Sequence, residues 1–346
     1  MQKITIIEPL FDNENLEEKI DEITALCDSA EGQVVGVISQ LIKQVTPATF
    51  IGKGKAEEVK FEVLNNDSSL VVFDGELSPS QSLNLSDIIG VPVITRTNLI
   101  LDIFAKRAKS SEGKILVELA QLKYIYPRLK GKGDSLSRLG AGIGTRGPGE
   151  TKLETDRRHI RTRILALEKS LEKIRSRRSL EYSRRKKNQL KTVVLIGYTN
   201  VGKSTLLNLL CHSDDLQMDK LFATLDTSSK KAYINGQRVI FIDTVGFIKN
   251  LPDDLLEAFK STLECVKEAD LILNVADATN NFEHQYMVTE ELLKQFEHTD
   301  NIVKVLNKCD QLNDTFIPKD VVKISALKKI GIEELKDLVY SKIGLK

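Results

Sequence analysis

The segment TVVLIGYTNVGKSTLLNLL, from Thr192 to Leu210, constrains this chain more than any other stretch. Its β-branched opening reads as a short strand, a glycine-bearing loop follows at once, and TLLNLL reads as a helix. Gly197-x-x-x-x-Gly202-Lys203-Ser204 has the spacing of a phosphate-cradling loop set between strand and helix. The glycines let backbone N–H groups turn inward, and the helix directs its positive N-terminal end at the same point. Tyr198, Thr199, Asn200 and Val201 complete the cradle, with Thr205 just beyond it. Lys203 is expected to reach the β and γ oxygens of a nucleotide, and the Ser204 hydroxyl to take a place on Mg²⁺.

Three further motifs follow in order. VIFIDTVGF reads as a strand ending in Asp243-Thr244-Val245-Gly246. An Asp there holds Mg²⁺ through water, and the Gly246 N–H faces the γ-phosphate. IVKVLNKCD reads as a strand ending in Asn307-Lys308-Cys309-Asp310. A carboxylate at Asp310 accepts two hydrogen bonds from guanine N1–H and its exocyclic amino group, a pair adenine lacks. KISAL then places Ser325-Ala326-Leu327 where a backbone amide supports guanine O6. Between the first two motifs, DKLFATLDTSSKK supplies a switch threonine for Mg²⁺; Thr224 is the first choice and Thr227 the second. The set resembles that of GTPases rather than ATPases, with GTP and GDP as ligands and Lys203, Thr224 and Gly246 as catalytic candidates. Ras-like enzymes carry a water-orienting Gln after the D-x-x-G glycine, and here that position is Phe247. Slow intrinsic turnover with an external activator is therefore expected. Asn200 resembles the K⁺-coordinating Asn of some GTPases with a hydrophobic residue at this position; its alternative is a structural cap on the loop.

Across 346 residues the chain reads as α/β throughout, in three parts: an N-terminal α/β domain over 1–110, a helical linker over 111–190, and a G domain with a mostly parallel sheet over 191–346. In the first part, strands are expected at Ile4–Ile7, Val34–Ser39, Leu70–Phe73 and Val91–Thr95, and helices at Leu16–Ser29, Lys55–Asn65 and Ser80–Ile89. A further helix runs over Glu112–Tyr126, stopped near Pro127. Residues 131–149 then hold seven of the twenty glycines together with basic side chains, which reads as a polyanion-binding loop or a linker. Leu153, Ile160, Ile164, Leu167, Leu171 and Ile174 form a heptad seam. Its partner is left open between the Glu112–Tyr126 helix, a returning helix through SLEYSRRKKNQ, and another chain.

Net charge is +1, yet Glu150 to Lys191 carries fifteen Lys/Arg against six Asp/Glu. Such a block is either a polyanion contact or a solvated helix face. The four cysteines are scattered, which reads as reduced thiols in a cytoplasmic protein. Neither a signal peptide nor a membrane-length apolar run is legible.

Ile51-Gly52-Lys53-Gly54-Lys55, the FDGELSPSQ segment from Phe73, and GIGTRGPGETKLETDRR from Gly142 to Arg158 lie outside the nucleotide motifs. With them the whole chain resembles the HflX family of ribosome-associated GTPases. The resemblance implies a GTP-hydrolysing factor that binds the large (50S) ribosomal subunit, contacts 23S rRNA and splits or remodels stalled ribosomes. It turns the basic block and the glycine-rich loop into rRNA contacts, with Arg138, Arg146, Lys152, Arg157 and Arg158 as candidates. After Ser325-Ala326-Leu327 only one helix is expected, so the chain reads as a short form without the additional C-terminal domain of longer relatives, acting as a monomer. The competing reading is a regulatory switch whose GTP state recruits a protein through the helical linker. Salt-sensitive affinity for rRNA separates the two.

Overall fold

The computed structural model describes residues 1–11, 15–129, 148–187, 190–211, 228–244, 246–247, 264–294, 301–312, 318 and 320–344, without the side chains of 148–153, 178, 179 and 181–187. These residues fall into two compact units, Met1–Lys106 with Val117–Lys169 and Arg107–Leu116 with Ser170–Lys346. Among them no helix is long and apolar enough to cross a membrane.

The first unit begins with β1 (Gln2–Leu10), α1 (Leu16–Ser29), β2 (Gly32–Leu41), α2 (Lys53–Asn66), β3 (Leu70–Phe73), α3 (Pro79–Ile89), β4 (Val93–Thr95) and α4 (Arg96–Arg107). The strands pair in parallel in the order β2-β1-β3-β4. Strand β1 is buried on both faces from Ile4 to Glu8, as a parallel sheet covered by helices requires. Local capping sets where helices start. The Asn15 side chain accepts from the Glu17 and Glu18 amides at the head of α1. Ser78 and Gln81 form a reciprocal capping box on α3, with Pro79 at its first position. β4 starts two residues later than expected, because Pro92 has no N–H to give a ladder.

Two further helices are α5 (Ser111–Arg128) and α6 (Pro148–Lys187). Within the first unit α6 faces α5: Arg163 grips Glu118 through two hydrogen bonds of 2.6 and 2.8 Å, and Lys123 meets Glu168 at 3.0 Å. Such exposed pairs contribute little individually. Within this unit the seam itself carries more, with Leu167 buried and Ile160 and Ile164 half-buried; Leu171, buried, and Ile174, half-buried, belong to the second unit. The stretch SLEYSRRKK continues α6 to Lys187 and does not return as a second helix.

The second unit holds β5 (Lys191–Gly197), α7 (Lys203–Leu210), β6 (Ser228–Ile234), β7 (Gln237–Asp243), β8 (Leu271–Asp277), α8 (Phe282–Lys294), β9 (Ile302–Asn307), β10 (Val321–Lys323) and α9 (Ile332–Lys342). The sheet order is β10-β9-β8-β5-β7-β6, parallel except for the β6–β7 hairpin. That hairpin turns on Asn235-Gly236, with φ of 46° and 80°, the left-handed pair that a two-residue turn between twisted strands demands. Val193 and Leu195 pack on one face of the sheet with Leu206, Leu207, Leu335 and Val339. Val194 and Ile196 pack on the other with Ile242, Phe247, Val266 and Leu293. The loops leaving β5, β7 and β9 emerge at the strands' carboxyl ends, where open α/β sheets hold ligands.

The first unit keeps charge inside its own carboxyl-end edge. Glu8 is fully buried, with Lys19 Nζ 2.8 Å from its carboxylate, and Arg96 reaches Asp74 at 2.8 Å and Glu22 at 3.1 Å. Burial and the neighbouring Asp74 push Glu8 from 4.5 up to about 8, against the pull of Lys19. The folded chain therefore keeps a proton there that the unfolded chain releases. Stability contributed at Glu8 is present at low pH and is lost as pH rises from about 4.5 to about 8. Thermal unfolding followed across that window is expected to show a falling midpoint that Glu8→Gln flattens.

Candidate nucleotide site

The loop between β5 and α7 is held in a shape that only glycine permits at two points. Gly197 has φ of 147°, and a Cβ there would stand 2.0 Å from the Val275 carbonyl oxygen of β8. Gly202 has φ of 86°, and a Cβ there would stand 2.4 Å from Asn307 Nδ2. Both glycines are thus demanded by backbone and neighbour together. Asn200 also takes a left-handed conformation, φ 62°, which an Asn tolerates better than most residues, and its side chain is exposed.

Lys203 opens α7 and is nearly fully buried. Its Nζ donates to the Gly197 carbonyl at 3.1 Å and the Tyr198 carbonyl at 2.7 Å, so the ammonium is fixed under the loop. Burial pushes it down to about 8, and Asp243 pulls the other way. Ser204 Oγ donates to Asp243 Oδ2 at 2.7 Å, bringing the first two motifs together. A buried carboxylate beside a hydroxyl fits a hard divalent cation that takes few protein oxygens and completes its shell with phosphate and water. Among the described residues no group of three or more His, Cys, Asp or Glu is placed to hold a metal ion.

Thr244 Oγ1 donates to the Leu195 carbonyl at 2.8 Å and pins the D-x-x-G segment to β5. Beyond it the segment pairs with the glycine loop: the Thr199 amide donates to the Phe247 carbonyl at 2.7 Å, and the Phe247 amide to the Gly197 carbonyl at 3.1 Å. Gly246 is close to both partners; a Cβ on it would lie 2.8 Å from Thr199 Cα and 3.0 Å from Lys203 Nζ. The Phe247 ring is buried in the core cluster with Ile196, Ile242 and Val266.

The guanine end is built differently. Asn307 commits its amide to the protein, donating to the Val201 carbonyl at 2.8 Å and accepting from the Ala326 amide at 2.9 Å. Asp310 is exposed. Ser325 is fully buried and Leu327 is exposed. Lys308 sits at φ 64° with Nζ 2.6 Å from Asp277 Oδ2. Asp277 is a residue that motif reasoning missed. Its carboxylate also accepts from the Thr279 amide at 2.9 Å and hydroxyl at 2.7 Å, so it is a fixed anchor that aims the Lys308 stem. The only signal for it was a carboxylate closing the apolar run LILNVAD.

Thr224, Thr227, Val245, Arg138 and Arg146 lie outside the described residues, as does the side chain of Lys152. Thr205 is half-buried in the first turn of α7. Arg157 is half-buried with its guanidinium 5.4 Å from the Tyr126 ring centre, while Arg158 is exposed.

A phosphate group favours the charged form of Lys203. Above about pH 8 nucleotide binding must therefore take up a proton. Affinity for GDP, followed by fluorescence titration with a labelled analogue, is expected to be flat below that pH and to fall by about tenfold per pH unit above it.

Three family models match the chain. Residues 17–105 match one described as GTP-binding GTPase N-terminal, residues 107–185 the GTP-binding GTPase Middle Region, and residues 192–308 the 50S ribosome-binding GTPase. A protein called GTPase HflX from Caldanaerobacter subterraneus subsp. tengcongensis is 51% identical over 330 residues, covering 93% of this chain and 76% of the relative. The GTPase HflX of Escherichia coli is 40% identical over 319 residues, covering 90% and 74%. In fold, the chain is similar to the crystal structure of a GTP-binding protein from Sulfolobus solfataricus in complex with GDP. That likeness covers 99% of both chains at 24% identity with a TM-score of 0.52.

Proposed function

This chain belongs to the HflX family of GTPases, and we propose that it binds the large ribosomal subunit through 23S rRNA and uses GTP to split or remodel stalled ribosomes in the cytoplasm. The observation that carries this reading is the pairing of a G domain, matched over 192–308 by a 50S ribosome-binding model, with a strongly basic helix placed before it. Arg158, Arg161, Lys169, Lys173 and Arg177 are exposed along α6. Such a row meets RNA phosphates with release of condensed counterions and no base readout. Arg157, whose guanidinium lies 5.4 Å from the Tyr126 ring centre, and Arg138, Arg146 and Lys152 are assigned to rRNA in the same proposal. The division of labour follows the three-part organisation, with 1–110 and 111–190 serving the ribosome and 191–346 the nucleotide.

In the nucleotide site, the loop from Gly197 to Thr205 with Lys203 takes the phosphates, and Asp310, aided by Lys308 and the Ser325–Leu327 loop, reads guanine. Ser204, Asp243 and Thr224 would hold Mg²⁺, which supplies charge neutralisation on the phosphates when bound. Asn200, exposed at the loop's turn, would hold K⁺. The D-x-x-G segment offers no water-orienting side chain, because the Phe247 ring is buried. Slow intrinsic hydrolysis accelerated by the ribosome is the consequence. The competing switch reading, with a protein partner on the heptad seam, has less support, since Leu167 is buried and α6 is ion-paired to α5 of the same chain.

Steady-state GTP turnover in K⁺ buffer, with and without purified large subunits and with Lys203→Ala as the blank, tests the ribosomal reading. Stimulation of about tenfold or more is expected; a folded, GTP-binding protein that ignores the subunits would move the function to a protein-recruiting switch. Replacing K⁺ by Na⁺ in the same assay is expected to lower the stimulated rate by about tenfold. Equal rates in the two salts would return Asn200 to a structural cap.

A further inference from the structure

With the Phe247 ring committed to the core, the group that holds the attacking water must come from elsewhere. Thr199 carries an unexplained feature. It is only 5% exposed, and its hydroxyl is buried with no hydrogen-bond partner. Buried hydroxyls in folded proteins are almost always bonded, so an orphan is a group waiting for a partner. Its neighbours say which partner. A Cβ on Gly246 would lie 2.9 Å from Thr199 Cγ2 and 3.0 Å from Lys203 Nζ, so the Thr199 side chain and the Lys203 ammonium flank the same point of the D-x-x-G segment. The loop lysine reaches the β and γ oxygens, which puts Thr199 at the γ-phosphoryl end of the cradle and away from the base. Its backbone is locked there by the bond from its amide to the Phe247 carbonyl at 2.7 Å. A hydroxyl is suited to the task because it accepts one hydrogen bond and donates another at once.

We propose that Thr199 is a catalytic residue of GTP hydrolysis, whose Oγ1 accepts a hydrogen bond from the attacking water while donating to a γ-phosphate oxygen. The water oxygen bonds to the γ-phosphorus. The bond from that phosphorus to the β,γ-bridging oxygen breaks, with its electron pair staying on GDP. The water's proton leaves on inorganic phosphate, and Thr199 ends the cycle with the proton it began with. The threonine positions; it does not act as a base.

Single-turnover GTP hydrolysis in K⁺ buffer, GTP affinity, and the melting midpoint without nucleotide are measured for Thr199→Val and Thr199→Ser. The valine variant is expected to hydrolyse about 100-fold more slowly, with GTP affinity lowered far less, by about tenfold at most. It should also melt no lower than the natural protein, because a methyl replaces an unbonded hydroxyl. The serine variant restores most of the rate. If valine does not fold, Thr199→Ala removes the hydroxyl without adding bulk and is expected to show the same loss. A valine or alanine variant as fast as the natural protein overturns the proposal. So does a loss of GTP affinity matching the loss of rate, or a serine variant as slow as the valine one, since both mark a role in shaping the loop.

Discussion

The nucleotide end of the second unit hangs on one side-chain amide. Asn307 lies at the end of β9, yet it donates to the Val201 carbonyl in the loop after β5 and accepts from the Ala326 amide in the loop after β10. Gly202 packs directly against its Nδ2. Three loops far apart in sequence are thereby set to one geometry by a group that is nearly fully buried. Loss of this amide would leave a buried carbonyl and a buried N–H without partners, at about 1–3 kcal/mol each. A carboxylate of the same shape would do no better, since it cannot donate to Val201. The loop after β5 and the loop after β10 are therefore not independent modules, because both are bonded to the Asn307 amide.

Both units use a parallel sheet with polar groups at the strands' carboxyl ends, but they treat those groups in opposite ways. In the first unit Lys19 stands 2.8 Å from the Glu8 carboxyl and Arg96 pairs with Asp74 and Glu22, so the edge is closed by groups of its own. In the second, Asp310 is exposed and the Thr199 hydroxyl is buried without a partner. The sequence GKGK in the first unit, at Gly52 to Lys55, opens α2 and lacks the spacing of a phosphate cradle. One sheet turns its polar edge on itself and the other leaves part of it open.

The glycine loop was legible because its chemistry is local: a strand, a turn and a helix start within one short run of residues. Of the first unit's strands, β1 and β2 proved longer than their apolar cores, with Ile4–Ile7 growing to Gln2–Leu10, since edge residues join a ladder regardless of their polarity; β3 matched Leu70–Phe73 and β4 proved shorter. Strands β6 and β8 were passed over. β8 is as apolar as its neighbours but carries no motif, and β6 follows the period of a half-exposed strand in which Lys231 is exposed while Lys230 lies on the buried side and bonds Asn208. Asp277 was unreadable for a different reason: its meaning comes from Lys308, thirty-one residues away, and only the folded sheet brings the two together. The seam on α6 was read correctly as a seam, but its partner is a matter of tertiary pairing that spacing alone leaves open.

The burial of Phe247 links core packing to the switch. Its ring is part of the cluster with Ile196, Ile242 and Val266, and its backbone makes two hydrogen bonds with the glycine loop. Withdrawing the segment from the loop would expose a phenyl ring at about 2–3 kcal/mol and break two bonds of about 1 kcal/mol each. A glutamine at this position would carry no such anchor, since its amide is better solvated than buried. A hydrophobic residue here therefore carries no water-orienting group and instead fastens its own stretch of backbone to the core. Positioning of the water then has to come from the rigid side of the site, where the glycine loop is already fixed by Val275, Asn307 and Phe247 itself.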